Sequence, residues 1–293
     1  MKACSTILAL ALSSSAACAG PVLDRIKSTG KVVIGHRESS VPFSYYDANK
    51  RPVGYAIDLC TRIVEATRKH LGLAELKIEY TLVTSANRIQ FITDGKADLE
   101  CGSTTNNAER RKQVAFTIPH YITGARYLVR ADSPIAELTQ FENRKLISTK
   151  GSTPLKAIDQ ANRQGLLRIQ IGEAPDHARA VEMVENNEAD GFAMDDVLLY
   201  GLMSNRPDPT KLKVVGKFLT IEPLAIMLSK DDPELKRIAD DEMRRLIKDT
   251  REAYAIYDKW FTRPIAPNGR SLALPMNYLL RDFWKFPSDS VPF

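Results

Sequence analysis

Three arginines stand where predicted strands of the sequence end. Arg37, Arg88 and Arg110 each follow a short apolar run that is typical of a buried strand. In an open α/β sheet, ligands bind outside the carboxyl ends of the strands, so we expect these side chains to converge. A guanidinium group presents a planar fork of donors that binds a carboxylate through two parallel hydrogen bonds. The spacing therefore predicts a site for an acid.

Hydroxyl groups accompany the arginines at these strand ends. With backbone N–H groups near helix starts, they would complete a cage for anions. Asp195 would lie opposite and is suited to receive an ammonium group. A ligand with two carboxylates and one amine complements this set, and that ligand is an acidic amino acid. The polar strand-end segments are 35–40, 84–88, 102–110, 149–153, 176–177 and 194–196.

Each of these residues also has an ordinary structural role open to it. An arginine in a loop is commonly solvated, and Ser152 or Thr153 can simply cap a helix, the usual role of such residues before a helix. His177 reads equally well as a surface residue of a first helical turn, and Asp196 as a cap. Only their joint occurrence favours a binding site.

The periodicity predicts an α/β fold with two lobes. Strands and helices alternate in two similar runs, which indicates mostly parallel sheets. We expect a first lobe from 20–128 and 224–293, with a second lobe, 129–223, inserted into it. The proline-rich final thirty residues would wrap the surface. The predicted elements are strands at 31–35, 77–83, 96–101, 145–149, 167–171, 189–194 and 224–228, and helices at 58–71, 87–94, 154–163, 176–187, 233–248 and 251–259.

Composition excludes several classes of protein. Of 293 residues, 44% are hydrophobic and 26% charged, the mix of an ordinary globular protein rather than a disordered or fibrous one. The net charge of +5 is spread along the chain, whereas a nucleic-acid-binding protein concentrates its basic residues, so no nucleic-acid partner is expected. After the first twenty residues, no run reaches the ~18 apolar residues that a membrane span needs.

The first nineteen residues are typical of a secretory leader. A lysine at position 2, an apolar run over 6–12 and the small residues Ala17 and Ala19 predict cleavage before Gly20. A lipoprotein anchored at Cys18 is the second interpretation. Export is favoured in both cases.

Cys60 and Cys101 remain after removal of the leader. In an oxidising compartment they are candidates for a disulfide, and two buried free thiols are the alternative. No CxxC pair or paired histidines accompany them, so no metal site is expected.

Longer strings resemble one known family. They are GHRESSVPFSYYD at 35–47, VGYAID at 53–58, DLECGSTTNN at 98–107, MDD at 194–196 and the segment 254–261. With them the sequence resembles, over nearly its whole mature length, the periplasmic glutamate/aspartate-binding proteins of ABC importers. The resemblance implies a type II periplasmic-binding-protein fold, in which two hinge strands join two α/β lobes and one amino acid is enclosed between the lobes.

The resemblance also implies roles for individual residues. Arg110 would bind the α-carboxylate with Ser103, Thr105 and Thr149 or Ser152, and Asp195 would bind the α-ammonium. Arg37, Arg88 and His177, with Ser85, would surround the side-chain carboxylate. The sequence departs from the family pattern at 149–154, TKGSTP. Relatives can carry a cysteine where Ile226 stands, so the resemblance implies Cys60 as the partner of Cys101.

The implied function is binding without chemistry. A closed, ligand-bound monomer would deliver glutamate or aspartate to a membrane permease from the periplasm, with no cofactor. An exported enzyme of the same fold, dehydratase-like and acting on a small carboxylate, is the first alternative, with His177, Glu38 or Asp195 as acid or base. The second is a receptor module, which would need a downstream membrane span.

Overall fold

Two five-stranded sheets form the framework of the protein, which a computed structural model describes over residues 20–290. The predicted leader, 1–19, lies outside the described residues. The strands are β1 (Lys31–His36), β2 (Ser39–Ser40), β3 (Ser44–Tyr46), β4 (Pro52–Val53), β5 (Lys77–Leu82), β6 (Leu99–Glu100), β7 (Ala115–Phe116), β8 (Tyr121–Thr123), β9 (Ala125–Arg130), β10 (Lys145–Thr149), β11 (Gln170–Ala174), β12 (Gly191–Asp195), β13 (Leu212–Val215), β14 (Glu222–Leu224) and β15 (Met227–Leu228). The helices are α1 (Pro21–Thr29), α2 (Tyr55–His70), α3 (Arg88–Thr93), α4 (Ala108–Arg111), α5 (Thr153–Gly165), α6 (His177–Glu185), α7 (Asp196–Ser204), α8 (Pro233–Lys248), α9 (Thr250–Phe261) and α10 (Tyr278–Phe283). Short 3-10 turns lie at Leu138–Phe141 and Pro209–Lys211.

The first sheet carries two of the three site arginines at its strand ends. Its order is β5-β1-β6-β15-β7, with β1 parallel to β5 and β6, and β15 antiparallel to β6 and β7. Helix α2 turns Leu59, Ile63 and Val64 inward because apolar residues recur at helical spacing along it. Arg37 directly follows the carboxyl end of β1, and Arg88 begins α3 after the loop that follows β5.

The second sheet repeats this arrangement. Its order is β11-β10-β12-β9-β13, with β10 parallel to β11 and β12, and β9 antiparallel to β12 and β13. Phe141, Leu146 and Ile158 are among the residues of its buried core. His177 follows β11, and Asp195 ends β12. The α/β class and the two lobes predicted from the sequence are confirmed.

Two short strands connect the lobes. β8 and β14 pair antiparallel, with Glu222 opposite Thr123 and Leu224 opposite Tyr121. Strand β9 begins at Ala125 and already pairs within the second sheet. The pairing favours a crossing near Gly124, slightly before the predicted lobe boundary at 128/129.

A disulfide joins Cys60 and Cys101, with their Cα atoms 6.3 Å apart. It fixes α2 to the segment that follows β6, where the loop with Ser103 and Thr105 begins. The pairing implied by the family resemblance is confirmed, and the alternative of two free thiols is wrong.

One predicted strand is misplaced. Of the run at 167–171, only Gln170 and Ile171 lie in a strand, since β11 occupies Gln170–Ala174. Leu166 and Arg168 have positive φ angles of 49° and 53°, which are incompatible with extended pairing. The Asn162 side chain of α5 also binds the backbone of Ile169 through two hydrogen bonds of 2.9 and 3.0 Å, so Ile169 is held against the helix before the strand begins.

The last described residues run along the outside of both lobes, as predicted. Ile265 and Arg270 form an isolated bridge of a small hairpin, and Asn277 donates to the carbonyl of Ile122 on β8. A short helix, α10, follows. Among the helices of residues 20–290, none is long and apolar enough to cross a bilayer.

Candidate functional site

Arg37 and Arg88 lie together at one end of the cleft between the lobes. Each side chain is only 3% exposed. Arg37 donates from Nη2 to Ser85 Oγ at 2.5 Å, while its backbone N–H donates to Ser44 Oγ. Burial, followed by the nearby charge of Arg88, lowers the pKa of Arg37 to about 9, which leaves it cationic at neutral pH. Arg37 Nη1 and Arg88 Nε have no hydrogen-bond partner among the described residues.

His177 approaches this end from the second lobe. It is the first residue of α6, and its Nδ1 lies 2.7 Å from Thr149 Oγ1. Burial and then the charges of Arg37 and Arg88 lower the pKa of His177 well below its usual range, so the ring is neutral. Its Nε2 finds no partner within residues 20–290. Thr149 thus orients the histidine rather than facing the cleft itself.

Arg110 lies at the other end, on the one-turn helix α4. Asn107 caps this helix by accepting from the Arg110 backbone N–H. The guanidinium donates to the Thr105 carbonyl at 2.8 Å and to the Gly151 carbonyl of the second lobe at 3.3 Å. Burial, then the charge of Arg88, lowers the pKa of Arg110 to about 9. The third arginine therefore belongs to the same cluster.

Asp195 is the buried acid of the second lobe. It ends β12, where the chain turns into α7, and is 3% exposed. Burial, and next the charge of Glu222, raises the pKa of Asp195 well above its usual range, whereas Arg110 and Arg88 act in the opposite direction. Its Oδ1 has no partner in the described part of the chain. A cation at this position would supply one.

Two further buried acids were missed by sequence analysis. Glu100 accepts from Thr104 Oγ1 at 2.6 Å, and Glu222 accepts from Thr153 Oγ1 at 2.8 Å. Asp195, the one acid that the sequence analysis placed opposite the arginines, is therefore accompanied by two more buried carboxylates. Glu100 offered a signal, since it is a charged residue at the end of a buried strand. Glu222 offered none, because β14 is too short to show alternation.

Two neighbouring hydroxyl residues of the second lobe have different roles: Ser152 caps a helix, and Thr153 contacts the first lobe. Ser152 accepts from the Leu155 backbone N–H and lies 3.1 Å from Ser148 Oγ, so the capping alternative describes its hydrogen bonds. Thr153, the next residue, instead places its Oγ1 3.1 Å from Thr105 Oγ1 of the first lobe. Thr153 was not among the predicted ligand-binding residues.

One small cavity gathers these groups between the lobes. It is lined by Ser85, Arg88, Ser103, Thr105, Ser152, Thr153, Pro154, His177, Met194, Asp195 and Leu198. Of the predicted residues outside this lining, Arg37 contacts Ser85, Arg110 contacts Thr105 and Thr149 contacts His177. All ten predicted residues thus lie in the cavity wall or one contact behind it.

The lobes are closed around this cavity. Gly151 has a φ of +78°, and a Cβ there would lie 2.7 Å from the Ser85 carbonyl oxygen. Only glycine permits this approach of the two lobes. A larger cavity, about 570 Å³, lies on the second lobe around Arg130, Arg206 and Lys211, away from the arginine cluster. Arg206 of this cavity pairs with Glu185, and Arg130 pairs with Asp132, so we place the site in the cleft.

The arrangement suits binding of a charged small molecule. Unpartnered N–H donors point to anions, and the unpartnered Asp195 oxygen points to a cation. Across residues 20–290, no group of three or more histidine, cysteine, aspartate or glutamate side chains is placed to hold a metal ion.

Two lobes, two connecting strands and a charged cleft define a two-lobe solute-binding protein of the type II periplasmic-binding-protein fold. The chain belongs to the bacterial extracellular solute-binding proteins, family 3, whose model matches residues 32–263.

Named relatives support this placement over nearly the full length. The chain is 37% identical to the glutamate/aspartate import solute-binding protein of Escherichia coli, over 99% of this chain and 98% of that protein. It is 38% identical to the L-glutamate/L-aspartate-binding protein of Pseudomonas aeruginosa, over 98% and 96%. A solved ancestral amino-acid-binding protein, described as a precursor of cyclohexadienyl dehydratase, is 27% identical, with a TM-score of 0.68 over 81% of this chain and 98% of its own.

Proposed function

We propose that this protein is the periplasmic subunit of an ABC importer that captures L-glutamate or L-aspartate between its lobes. One observation carries the proposal: three buried arginines, of which Arg37 and Arg88 have a donor without a partner among residues 20–290, face a buried aspartate across the same cleft. Two carboxylates and one ammonium group would satisfy these atoms. The names of the full-length relatives agree with this ligand.

One end of the cleft binds the α-carboxylate and α-ammonium of the ligand, and the other end binds its side-chain carboxylate. Arg110, with Ser103, binds the α-carboxylate, and Asp195 binds the α-ammonium. Arg37, Arg88 and His177 bind the side-chain carboxylate, while Ser85 positions Arg37 and Thr149 positions His177. We assign Thr105 a part other than the carboxylate contact expected from the sequence, because its hydroxyl lies 3.1 Å from that of Thr153.

Ligand capture is coupled to lobe closure. The lobe inserted between β8 and β14 supplies His177 and Asp195, and the first lobe supplies the arginines. A ligand therefore makes its full set of contacts only when the lobes close, and this differential affinity drives the closure. The closed form is the one that a permease would recognise, and the protein itself would turn nothing over.

An exported enzyme of this fold is the second candidate. The solved ancestral neighbour motivates it, because that protein is described as the precursor of a dehydratase. Such an enzyme would need an acid or base in the cleft, and His177 or Asp195 would have to serve. A product assay on L-glutamate and L-aspartate separates the two: unchanged ligand is expected, and turnover would favour the enzyme.

A thermal-shift screen of residues 20–293 against the common amino acids tests the proposal. A ligand that binds only the folded state raises the melting temperature by mass action, and at equal concentration the tighter ligand gives the larger shift. We expect L-glutamate and L-aspartate to give the largest shifts. A larger shift with a basic or apolar amino acid would reject the assignment.

A further inference from the structure

Glu222 is a buried carboxylate that the ligand roles above leave unused. It lies on β14, one of the two strands that connect the lobes, and is 2% exposed. Its register partner on β8 is Thr123. Glu222 therefore occupies the crossing itself, beside the cleft.

A chain of polar groups runs from Glu222 to both lobes. Thr153, which begins α5 of the second lobe, donates from Oγ1 to Glu222 Oε2 at 2.8 Å. The same Thr153 oxygen lies 3.1 Å from Oγ1 of Thr105, in the loop that follows β6 of the first lobe. This relay is complete only when the lobes are closed, because Thr105 and Thr153 stand on opposite sides of the cleft.

The carboxylate fixes the direction of the relay. A carboxylate only accepts, and a hydroxyl has a single proton to donate. Thr153 uses its only O–H to donate a hydrogen bond to Glu222. In the bond between the two threonines, Thr105 must therefore be the donor and Thr153 the acceptor. The Thr105 oxygen is then left with a lone pair in the wall of the cavity. That lone pair accepts from an ammonium group and has no proton to offer a carboxylate.

The charge of Glu222 also shifts the pKa values of the residues that would bind the α-ammonium and the α-carboxylate of the ligand. After burial, it is the largest cause that raises the pKa of Asp195. It also opposes the lowering of the pKa of Arg110 that burial causes. Glu222 thus influences the two residues assigned to the α-ammonium and the α-carboxylate.

We propose that Glu222 is a positioning residue for the α-ammonium of the ligand, acting from the connecting strand through Thr153 and Thr105. It sets the hydroxyls so that Thr105 accepts, and it makes this orientation depend on lobe closure. The proposal rests on the proposed function, since it assumes an amino-acid ligand.

The variant Glu222→Gln tests the role, because an amide both donates and accepts and no longer fixes the relay. The readout is the ratio of affinities for L-glutamate and for glutarate, which has the same two carboxylates but no amine. We expect this ratio to fall roughly tenfold or more, the worth of one hydrogen bond to a charged group, with little change for glutarate. A purely structural role would weaken both ligands alike, and an unchanged ratio would overturn the proposal.

Thr153→Val removes the middle of the relay and should lower the ratio in the same way. In the double variant with Glu222→Gln, the fall should be no larger than in either single variant, whereas full additivity would contradict a shared pathway. If Glu222→Gln fails to fold by its denaturation curve, Thr153→Val still decides the question.

Glu100→Gln is the matched control. It removes another buried carboxylate of the cleft, one whose threonine partner lies in the first lobe alone. We expect it to leave the ratio of L-glutamate to glutarate unchanged. An equal fall in this ratio would show that the effect of Glu222→Gln comes from the general loss of negative charge in the cleft. It would overturn the proposal. Failure of the unaltered protein to bind any acidic amino acid would instead reject the proposed function.

Discussion

Unpartnered donors explain why the site should discriminate between a carboxylate and an amide. Arg37 Nη1, Arg88 Nε and His177 Nε2 are all buried without partners within the described chain. A buried donor that remains unsatisfied costs free energy, so a ligand lacking a second carboxylate oxygen leaves that cost in place. The side-chain amide of glutamine would turn one N–H₂ group toward these donors. Selectivity then follows from the groups left unpaired as much as from those paired.

Arg88→Met should erode this discrimination. Methionine keeps the apolar stem of the side chain and removes the charge, so glutamate loses one charge-assisted interaction of about 1.5–3 kcal/mol, roughly 10- to 150-fold in affinity. Glutamine should lose little. Calorimetric titration with both ligands measures the change, and Arg281→Met, an exposed arginine of the tail, is the control. Equal losses for both ligands would argue that Arg88 supports the fold and not the side-chain carboxylate.

His120 makes the fold sensitive to acid. Burial lowers the pKa of His120 to about 3, and neither ring nitrogen has a hydrogen-bond partner among residues 20–290. The unfolded chain binds a proton near pH 6.5, whereas the folded chain does not until about pH 3. The contribution of His120 to the unfolding free energy is therefore fully present above pH 6.5. It is lost as the pH falls from 6.5 toward about 3.

His120→Phe should flatten that dependence. Between pH 6.5 and 5 the wild-type protein should lose about 2 kcal/mol of unfolding free energy more than the variant does. Phenylalanine suits the site because Phe43 and Tyr55 already pack around it, with ring centroids 5.7 and 5.6 Å away. Urea denaturation at several pH values provides the comparison. Parallel stability curves for the two proteins would show that another group causes the acid sensitivity.

At the scale of elements, the disulfide holds α2 against the loop that carries Ser103 and Thr105. Cys60 and Cys101 are 41 residues apart in sequence, so their bond restricts a long loop of the unfolded chain. Replacing both by alanine should lower the unfolding free energy by about 3–4 kcal/mol. Denaturant titration of this variant, with the reduced wild-type protein beside it, measures the loss. A loss below about 1 kcal/mol would mean that the bond contributes little to stability.

The success of sequence reasoning varied with the length of the element. Arg37 and Arg88 follow strands of six residues, long enough for the apolar pattern to show where the chain reaches the cleft. Glu222 lies on a strand of three residues, and α7 is apolar on nearly every side, so neither offered a period to recognise. Thr153 was included in a polar strand-end segment and as a possible cap, but not as a cleft contact, because its approach to Thr105 depends on how the lobes meet, which local pattern does not contain.

At the scale of the whole molecule, the C-terminal hairpin ties one lobe to the other. Its base is held to the first lobe, where Ile265 is buried and Leu274 donates to the Phe261 carbonyl. Its Arg270 donates to the carbonyls of Ser204 and Arg206, at the end of α7 in the second lobe, at 2.9 and 2.7 Å. Asn268 donates to the neighbouring carbonyl of Asn205 at 2.9 Å. These bonds stabilise the closed arrangement, and opening of the lobes must strain or break them.

Arg270→Ala should therefore speed ligand release. Loss of about 1 kcal/mol from these exposed hydrogen bonds corresponds to roughly a fivefold faster dissociation, with the thermal stability of the fold nearly unchanged. Stopped-flow displacement of bound glutamate gives the rate. Arg263→Ala, an exposed neighbour at the base of the hairpin, is the matched control. Equal release rates for Arg270→Ala and the wild-type protein would show that the hairpin does not hold the closed state.

Calorimetric titration of the unaltered protein with L-glutamate and L-glutamine tests the central claim most directly. The two ligands differ only in whether the side chain ends in a carboxylate or an amide, and only the carboxylate can satisfy the buried cluster of Arg37, Arg88 and His177. We predict at least about a hundredfold preference for glutamate, the worth of one to two charge-assisted hydrogen bonds. Equal affinities would contradict the assignment of this cluster to a second carboxylate.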